Sequence, residues 1–235
     1  YHFANGVATI TLDDGKRNAL SPEMFRQLYA ALDRAETDRA IVILTGREQV
    51  FSAGFDLKVI KGAPLDALRM LRAGYSLTAR VLAYPYPVIV ACNGHVLAMG
   101  VFLMLSADYA IGTQGEFRIS ANEVALGMTM PRVAAAMLRH RLRPADFQTA
   151  VTLAKDFSVE GALHAGFFDE LTDADSLMPR ARERAEAFAK LSMPAHTVSK
   201  RRIRGPLIRY IRCNISLDLF DAFWVGVKAA LRGKR

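Results

Sequence analysis

Two short runs restrict what this chain can fold into more than any other feature: Ile41-Val42-Ile43-Leu44 and Val88-Ile89-Val90-Ala91-Cys92. Both are apolar, rich in β-branched residues and free of polar alternation. Runs of this kind fit strands covered on both faces, which demands layers above and below a mostly parallel sheet. Each run leads into a turn of small residues. Phe51-Ser52-Ala53-Gly54-Phe55-Asp56-Leu57 follows the first, and Asn93-Gly94-His95-Val96-Leu97-Ala98-Met99-Gly100 follows the second. Turns with little side-chain bulk leave backbone N–H groups uncovered. Two such groups brought together hold an oxygen that gains negative charge, as in an oxyanion hole. Taken alone, the two turns are weak evidence, and ordinary strand-to-helix connections explain them better.

The flanking segments predict the layers. Residues 7–12 alternate as a half-buried strand. Ser21-Pro22-Glu23 opens a helix with a capping hydroxyl, a proline in the first turn and an acid at the positive end of the dipole. That helix runs to about Asp38 and carries Phe25, Leu28, Tyr29 and Leu32 on one face. Residues 61–83 read as helical, interrupted early by Gly62 and Pro64. Residues 100–107 read as a nearly all-apolar, hence buried, helix. Residues 109–112 and 116–119 read as short strands. Beyond Pro131 the pattern is mostly helical, apart from a strand near residues 167–171. Strands alternating with helices place the chain in the α/β class.

The length of 235 residues fits one domain or one domain with an appendage, and 51% hydrophobic residues suffice for a sizeable core. The composition shifts after Lys190. Residues 1–190 read as the α/β core and residues 191–235 as a basic, helical C-terminal region. There Phe220, Phe223 and Trp224 recur at helical spacing, the mark of a core or oligomer face. The net charge of +8 suits a polyanionic partner or simply a solvated basic surface. Lys200, Arg201, Arg202 and Arg204 form its densest cluster. No apolar run approaches the ~20 residues of a membrane span, and no signal-peptide pattern is present. Cys92 and Cys213, the two cysteines, lack metal or redox spacing and read as reduced and structural, which leads to the expectation of a cytoplasmic protein. No His/Cys constellation suggests a metal. A basic tail without interleaved aromatics or a recognised motif argues against nucleic acid.

The order of phrases along the first 130 residues resembles the crotonase, or enoyl-CoA hydratase/isomerase, superfamily. The phrases are Asn18-Ala19-Leu20-Ser21, Ile41 to Gly46, Phe51 to Leu57, Tyr84-Pro85-Tyr86-Pro87 to Gly94, Ala107-Asp108-Tyr109-Ala110, and Phe117 through Met128. A weaker continuation runs from Ala162 through Glu170. The resemblance implies a spiral of ββα units, a CoA thioester as substrate with no separate cofactor, and homotrimers or hexamers. It also implies that the backbone N–H groups of Phe55 and Met99 form the oxyanion hole. Arg17, the backbone of Ala53, Asp56 and Lys58 fall where the family contacts CoA, although Asp56 also fits a cap on the helix that follows.

Hydratases of this family hold two glutamates near the reacting carbons. Here the first of those positions is Phe102, and the family glycines beside it are Ala98 and Met99. The second is retained as Glu123. Orienting a water and delivering a proton suits two carboxylates, whereas moving one proton between two carbons needs a single shuttle. The pattern therefore favours a Δ3-Δ2-enoyl-CoA isomerase with Glu123 as general acid/base. Its neighbours Val124, Ala125, Leu126 and Met128 suggest apolar surroundings that would raise its pKa. Open alternatives are a hydratase that draws a second polar group from elsewhere and a non-catalytic acyl-CoA binder. His95 reads as structural. Met70, Leu71, Tyr75 and Leu77, in a lid-like segment, either line an acyl chain or pack the core.

Overall fold

The computed structural model describes the backbone of residues 1–232 and side chains through residue 225, so the last three residues of the C-terminal region lie outside the described residues. The strands are β1 (His2–Ala4), β2 (Val7–Thr11), β3 (Ala19–Leu20), β4 (Ile41–Thr45), β5 (Gln49–Ser52), β6 (Gly54–Phe55), β7 (Val88–Cys92), β8 (Gly94–Leu97), β9 (Tyr109–Thr113), β10 (Ile119–Ser120) and β11 (Glu170–Thr172). The helices are α1 (Pro22–Thr37), α2 (Leu57–Ile60), α3 (Pro64–Leu82), α4 (Met99–Leu105), α5 (Arg132–Arg141), α6 (Pro144–Thr152), α7 (Val159–Ala165), α8 (Leu177–Ala189) and α9 (Met193–Arg232). The main sheet has the order β1-β2-β4-β7-β9-β11 and is parallel except for the β1-β2 hairpin. A second parallel sheet, β10-β8-β5, and a two-stranded ladder, β3-β6, carry the chain away from the main sheet at the ends of β4 and β7.

Both apolar runs form strands in which every residue is buried. Alternation along a strand sends successive side chains to opposite faces. Ile41 and Ile43 of β4, Ile89 and Ala91 of β7, and Ile111 of β9 pack against Leu177, Ala181 and Ala185 of α8. Val42, Leu44, Val88, Val90 and Cys92 face the larger core formed with α1, α3, α4 and α5. Ser21 caps α1 by accepting the Met24 N–H at 3.2 Å, with Pro22 at the first helical position. All seven residues of α4 are buried.

Three expectations shift. The strand expected at 116–119 begins only at Ile119, because the chain folds tightly at Gly115 (φ 146°), where the Phe117 N–H donates to the Gly115 carbonyl. The strand expected near 167–171 is Glu170–Thr172. Phe167 and Phe168 are buried, but they follow the left-handed cap Gly166 as a connection, with the Phe167 N–H bonded back to Ala162. Cys213 is exposed and so is not a packing residue, whereas Cys92 is buried as expected.

Helix α9 is tied to the core by polar contacts at both ends of its first thirty residues. Thr197 donates to the Pro85 carbonyl at 2.7 Å. Lys200 Nζ reaches Asp108 Oδ2 at 2.6 Å and the Tyr86 carbonyl at 3.2 Å. Arg204 pairs with Asp108 Oδ1 at 3.1 Å and donates to the Ala107 carbonyl at 2.9 Å. Burial, opposed by Asp108, pulls the Lys200 pKa down to about 8. Half of the basic cluster is therefore an internal tether, not a surface for anions, and only Arg201 and Arg202 face solvent. Further on, Asp218 accepts the Arg132 and Val133 N–H groups at 3.0 and 2.9 Å and so caps α5 from α9. Phe220, Phe223 and Trp224 are exposed, so within one chain their stripe is not core.

Candidate active site

The first turn is built by Asn18. Its buried side chain donates to the Leu12 carbonyl at 2.9 Å and to the Val50 and Phe51 carbonyls at 3.2 Å each, clamping the end of β2 to β5. Asn18 takes φ 51°, a left-handed conformation asparagine tolerates better than most residues. Asp14 accepts the N–H groups of Lys16, Asn18 and Ala19; these donors outweigh burial and hold its carboxyl below the usual range. The Ser52 hydroxyl donates to the Asn18 carbonyl at 2.8 Å and accepts the Gly54 N–H at 3.1 Å. The β3-β6 ladder follows, with the Asp56 N–H directed to the Leu20 carbonyl at 3.4 Å. Since alternate residues of a parallel strand face the same neighbour, the Phe55 N–H points away from β3.

The second turn lies against this strand at Gly54. Gly54 sits at φ 87°, and a Cβ there would lie 2.9 Å from Ala98 Cβ, 3.0 Å from the Leu97 carbonyl oxygen and 3.3 Å from the Met99 nitrogen. A Cβ on Gly100 would lie 2.8 Å from Ser52 Cβ. The two turns thus touch backbone to backbone at glycines on each side. Ala98 precedes α4 at φ 46°, ψ −122° and donates its N–H to the Ser120 carbonyl at 2.9 Å. Met99 is the first helical residue, and the first N–H groups of a helix have no intrahelical partner.

Glu123 lies three residues past Ser120, so its Cα is within about 11 Å of the residue bonded to Ala98. It is 5% exposed, and Oε2 is fully buried without a hydrogen-bond partner among the described residues. Burial pushes its pKa up to about 7, against a smaller opposing pull from its own backbone N–H. Its surroundings differ from the expectation: Val124, Leu126 and Met128 are exposed, because the one-turn 3₁₀ segment Val124–Leu126 and Gly127 (φ 75°) roll them outward. The Phe55 ring stands 6.0 Å from Phe25 and edge-on to Tyr75 at 5.9 Å, and it fits because residue 74 is glycine. Tyr75 is 4% exposed and feels the charge of Glu123. Phe102 is buried in α4 and supplies no polar group.

The remaining candidates lie on the rim. Arg17 is exposed, and its carbonyl accepts the Ala53 N–H at 3.0 Å, which joins the two residues but leaves only the Ala53 carbonyl for a ligand. Asp56 caps α2 through the Lys58 N–H at 2.8 Å. Lys58 is exposed on a groove of about 530 Å³ shared with Pro22, Val59, Gly62, Ala63, Asp66 and Arg69. His95 accepts the Arg118 N–H at 3.0 Å and packs on Phe117, which is a structural role. Met70 and Leu77 are core residues. Among the described residues there is no cluster of three or more metal-ligating side chains, and no helix is long and apolar enough to cross a membrane. The sequence reading passed over Asn18 as a clamp and Asp218 as a cap. Both act through backbone groups of segments remote in sequence, and only an isolated polar residue in an apolar setting hinted at either.

Comparison with known proteins identifies the family. A protein-family model for enoyl-CoA hydratase/isomerase matches residues 2–208. A probable enoyl-CoA hydratase, EchA17, from Mycobacterium avium is 30% identical over 199 residues, covering 83% of this chain and 76% of its own. The crystal structure of an enoyl-CoA hydratase/isomerase family protein from Pseudomonas syringae superposes with a TM-score of 0.92 at 43% identity, covering 93% of this chain and 95% of that one. A Mycobacterium tuberculosis protein, described once as an enoyl-CoA isomerase and once as a probable enoyl-CoA hydratase, EchA3, superposes in its apo form with a TM-score of 0.89 at 42% identity, covering 93% of this chain and 96% of that one. With touching glycine turns, a buried carboxyl three residues past the strand bonded to one of them, and matches over most of its length, the chain belongs to the enoyl-CoA hydratase/isomerase family.

Proposed function

We propose that the protein is a Δ3-Δ2-enoyl-CoA isomerase in which Glu123 carries the proton. The ionised carboxylate takes a proton from C2 of a 3-enoyl thioester. The electron pair passes to the carbonyl oxygen, which the N–H groups of Phe55 and Met99 stabilise. Protonated Glu123 then delivers the proton to C4, the double bond moves to C2–C3 and the carbonyl re-forms. Removing one such oxyanion donor typically costs about 3 kcal/mol of barrier. The observation that carries this reading is the unpartnered carboxyl: Glu123 is buried, with Oε2 unbonded among the described residues, three residues past the Ser120 carbonyl that accepts the Ala98 N–H, while the position where the family resemblance expects another carboxylate is Phe102, inside the core. A base whose pKa lies near neutrality both accepts and returns a proton efficiently.

CoA would lie along the rim formed by Arg17, the Ala53 carbonyl, Asp56 and Lys58, the cations facing its phosphates. The exposed stripe Phe220, Phe223 and Trp224 supports burial against another copy of the chain, in a trimer or hexamer; sedimentation equilibrium that returns only monomer would overturn that assembly. The second reading, a hydratase, is favoured by the name of the Mycobacterium avium relative. Assaying 3-enoyl-CoA and 2-enoyl-CoA side by side separates the two. Double-bond migration is expected, lost by roughly 10²-fold or more in Glu123→Gln, with hydration slow. Rapid hydration without migration overturns the isomerase reading.

A further inference from the structure

Arg204 is a buried cation that the reaction as drawn does not use. It projects from α9 and is 7% exposed. Its guanidinium donates to the Ser106 carbonyl at 3.3 Å and the Ala107 carbonyl at 2.9 Å, the two residues that follow α4, and pairs with Asp108 Oδ1 at 3.1 Å. Ser106 is bound into that end of the helix. Its N–H goes to the Phe102 and Leu103 carbonyls at 3.1 and 3.2 Å, and its hydroxyl donates to the Leu103 carbonyl at 2.6 Å. What holds Ser106 therefore holds α4. The helix has seven residues, all buried, and spans about 10 Å at its usual rise per residue. Met99 is its first residue and stands at the opposite end.

Each end of α4 is fixed by a different part of the chain. Beside Met99, the Ala98 N–H reaches the Ser120 carbonyl at 2.9 Å, and Gly100 packs so closely on Ser52 that a Cβ would lie 2.8 Å from Ser52 Cβ. A short helix held at one end only can pivot there; held at both, it neither tilts nor slides. Arg204 supplies the second hold, with a planar fork of donors that grips two carbonyls at once. Lys200 shares Asp108 but differs in its other bond, which goes to the Tyr86 carbonyl ahead of β7.

We propose that Arg204 is a positioning residue for the second oxyanion donor: by pinning the C-terminal end of α4 from α9, it fixes where the Met99 N–H stands relative to Gly54 and to the thioester oxygen. A misplacement of about 1 Å that originates far from the chemistry costs on the order of 10²-fold in rate. The role rests on the Phe55 and Met99 N–H groups holding that oxygen, so the deciding measurement reads the oxygen itself and does not use turnover.

The probe is a saturated acyl-CoA with carbon-13 at the thioester carbonyl, read by isotope-edited infrared spectroscopy at saturating protein. Hydrogen bonds lower a carbonyl stretching frequency, so the ligand bound to wild type is expected to absorb below the ligand free in buffer. Arg204→Met is expected to give back a large part of that lowering. Lys200→Met removes the same charge from the same cluster and is expected to retain it. An unchanged stretch in Arg204→Met overturns the proposal, and so does an equal change in Lys200→Met, the sign of a general loosening of α9. Arg204→Lys keeps the charge beside Asp108 but cannot span two carbonyls. It is expected to give a smaller change in the same direction and decides the matter if Arg204→Met does not fold, an unchanged stretch again overturning the role. In the isomerase assay Arg204→Met is expected to lower kcat about tenfold with KM nearly constant. An unshifted carbonyl in wild type defeats the oxyanion reading and the role of Arg204 together, whereas a shifted carbonyl that Arg204 does not govern defeats the role alone. If the wild type shifts the carbonyl yet does not isomerise, the isomerase reading fails while the stretch still decides the role of Arg204.

Discussion

A carboxyl enclosed without a partner makes folding depend on pH, and Glu123 lets the sign be worked out. Its pKa is about 7 in the folded chain, against 4.5 for the free side chain. Below 4.5 both states hold the proton and nothing is lost. Between 4.5 and 7 the unfolded chain releases its proton while the folded chain keeps it, so stability falls as pH rises; above 7 both are ionised and the loss is complete. The full loss is on the order of 3 kcal/mol. Urea titrations of the wild type and of Glu123→Gln are therefore expected to diverge between pH 4.5 and 7, with the glutamine variant the more stable at pH 8. Parallel curves across that window would mean that the carboxyl is solvated. The identity of this residue was legible from the family phrases. The source of its burial was not, because the apolar neighbours that suggested a pocket are turned outward.

At the scale of elements, the two turns differ in how well their residues suit them. Gly54 occupies φ 87° with no Cβ to clash, whereas Ala98 holds φ 46° and ψ −122°, a region costly for any residue with a Cβ. Ala98→Gly is expected to stabilise the fold by about 1 kcal/mol, read as a higher urea midpoint; an unchanged or lower midpoint would show that the surroundings gain nothing from relief of that strain. The sequence marked both turns and the helix after each. It left β5 and β8 undistinguished from loops and placed β10 three residues early, since strands of two to four residues show no readable period and exist only through pairing with distant partners.

At the scale of the whole molecule, α9 is forty residues long and, among the described residues, meets the core through Leu207, Ile208, Ile211, Ile215 and Leu219. One carboxylate, Asp108, neutralises both Lys200 and Arg204 beneath it. Removing one partner of a buried ionic cluster leaves uncompensated charge and typically costs about 3–5 kcal/mol. Asp108→Ala is expected to cost that much in equilibrium unfolding and to raise proteolytic cleavage within α9; a loss below about 1 kcal/mol would show that the cations find water or other acceptors instead. The basic cluster read from sequence as one feature is two: residues 200 and 204, one helical turn apart, face inward, while 201 and 202 face out. Helical period separates those pairs, but which pair meets the core depends on where Asp108 is placed.

What the sequence determined by itself is what short-range chemistry fixes. The short β-branched apolar runs fit strands covered on both faces, Ser21 caps the proline-initiated α1, and the family phrases identify the residues of the two turns and Glu123. Tertiary structure alone decided the contacts among segments far apart in the chain. It brought Gly54 against Met99, raised the pKa of Glu123 by enclosing it and turned Lys200 and Arg204 into a tether. Those outcomes depend on distance and desolvation, and neither is written in the local order of residues.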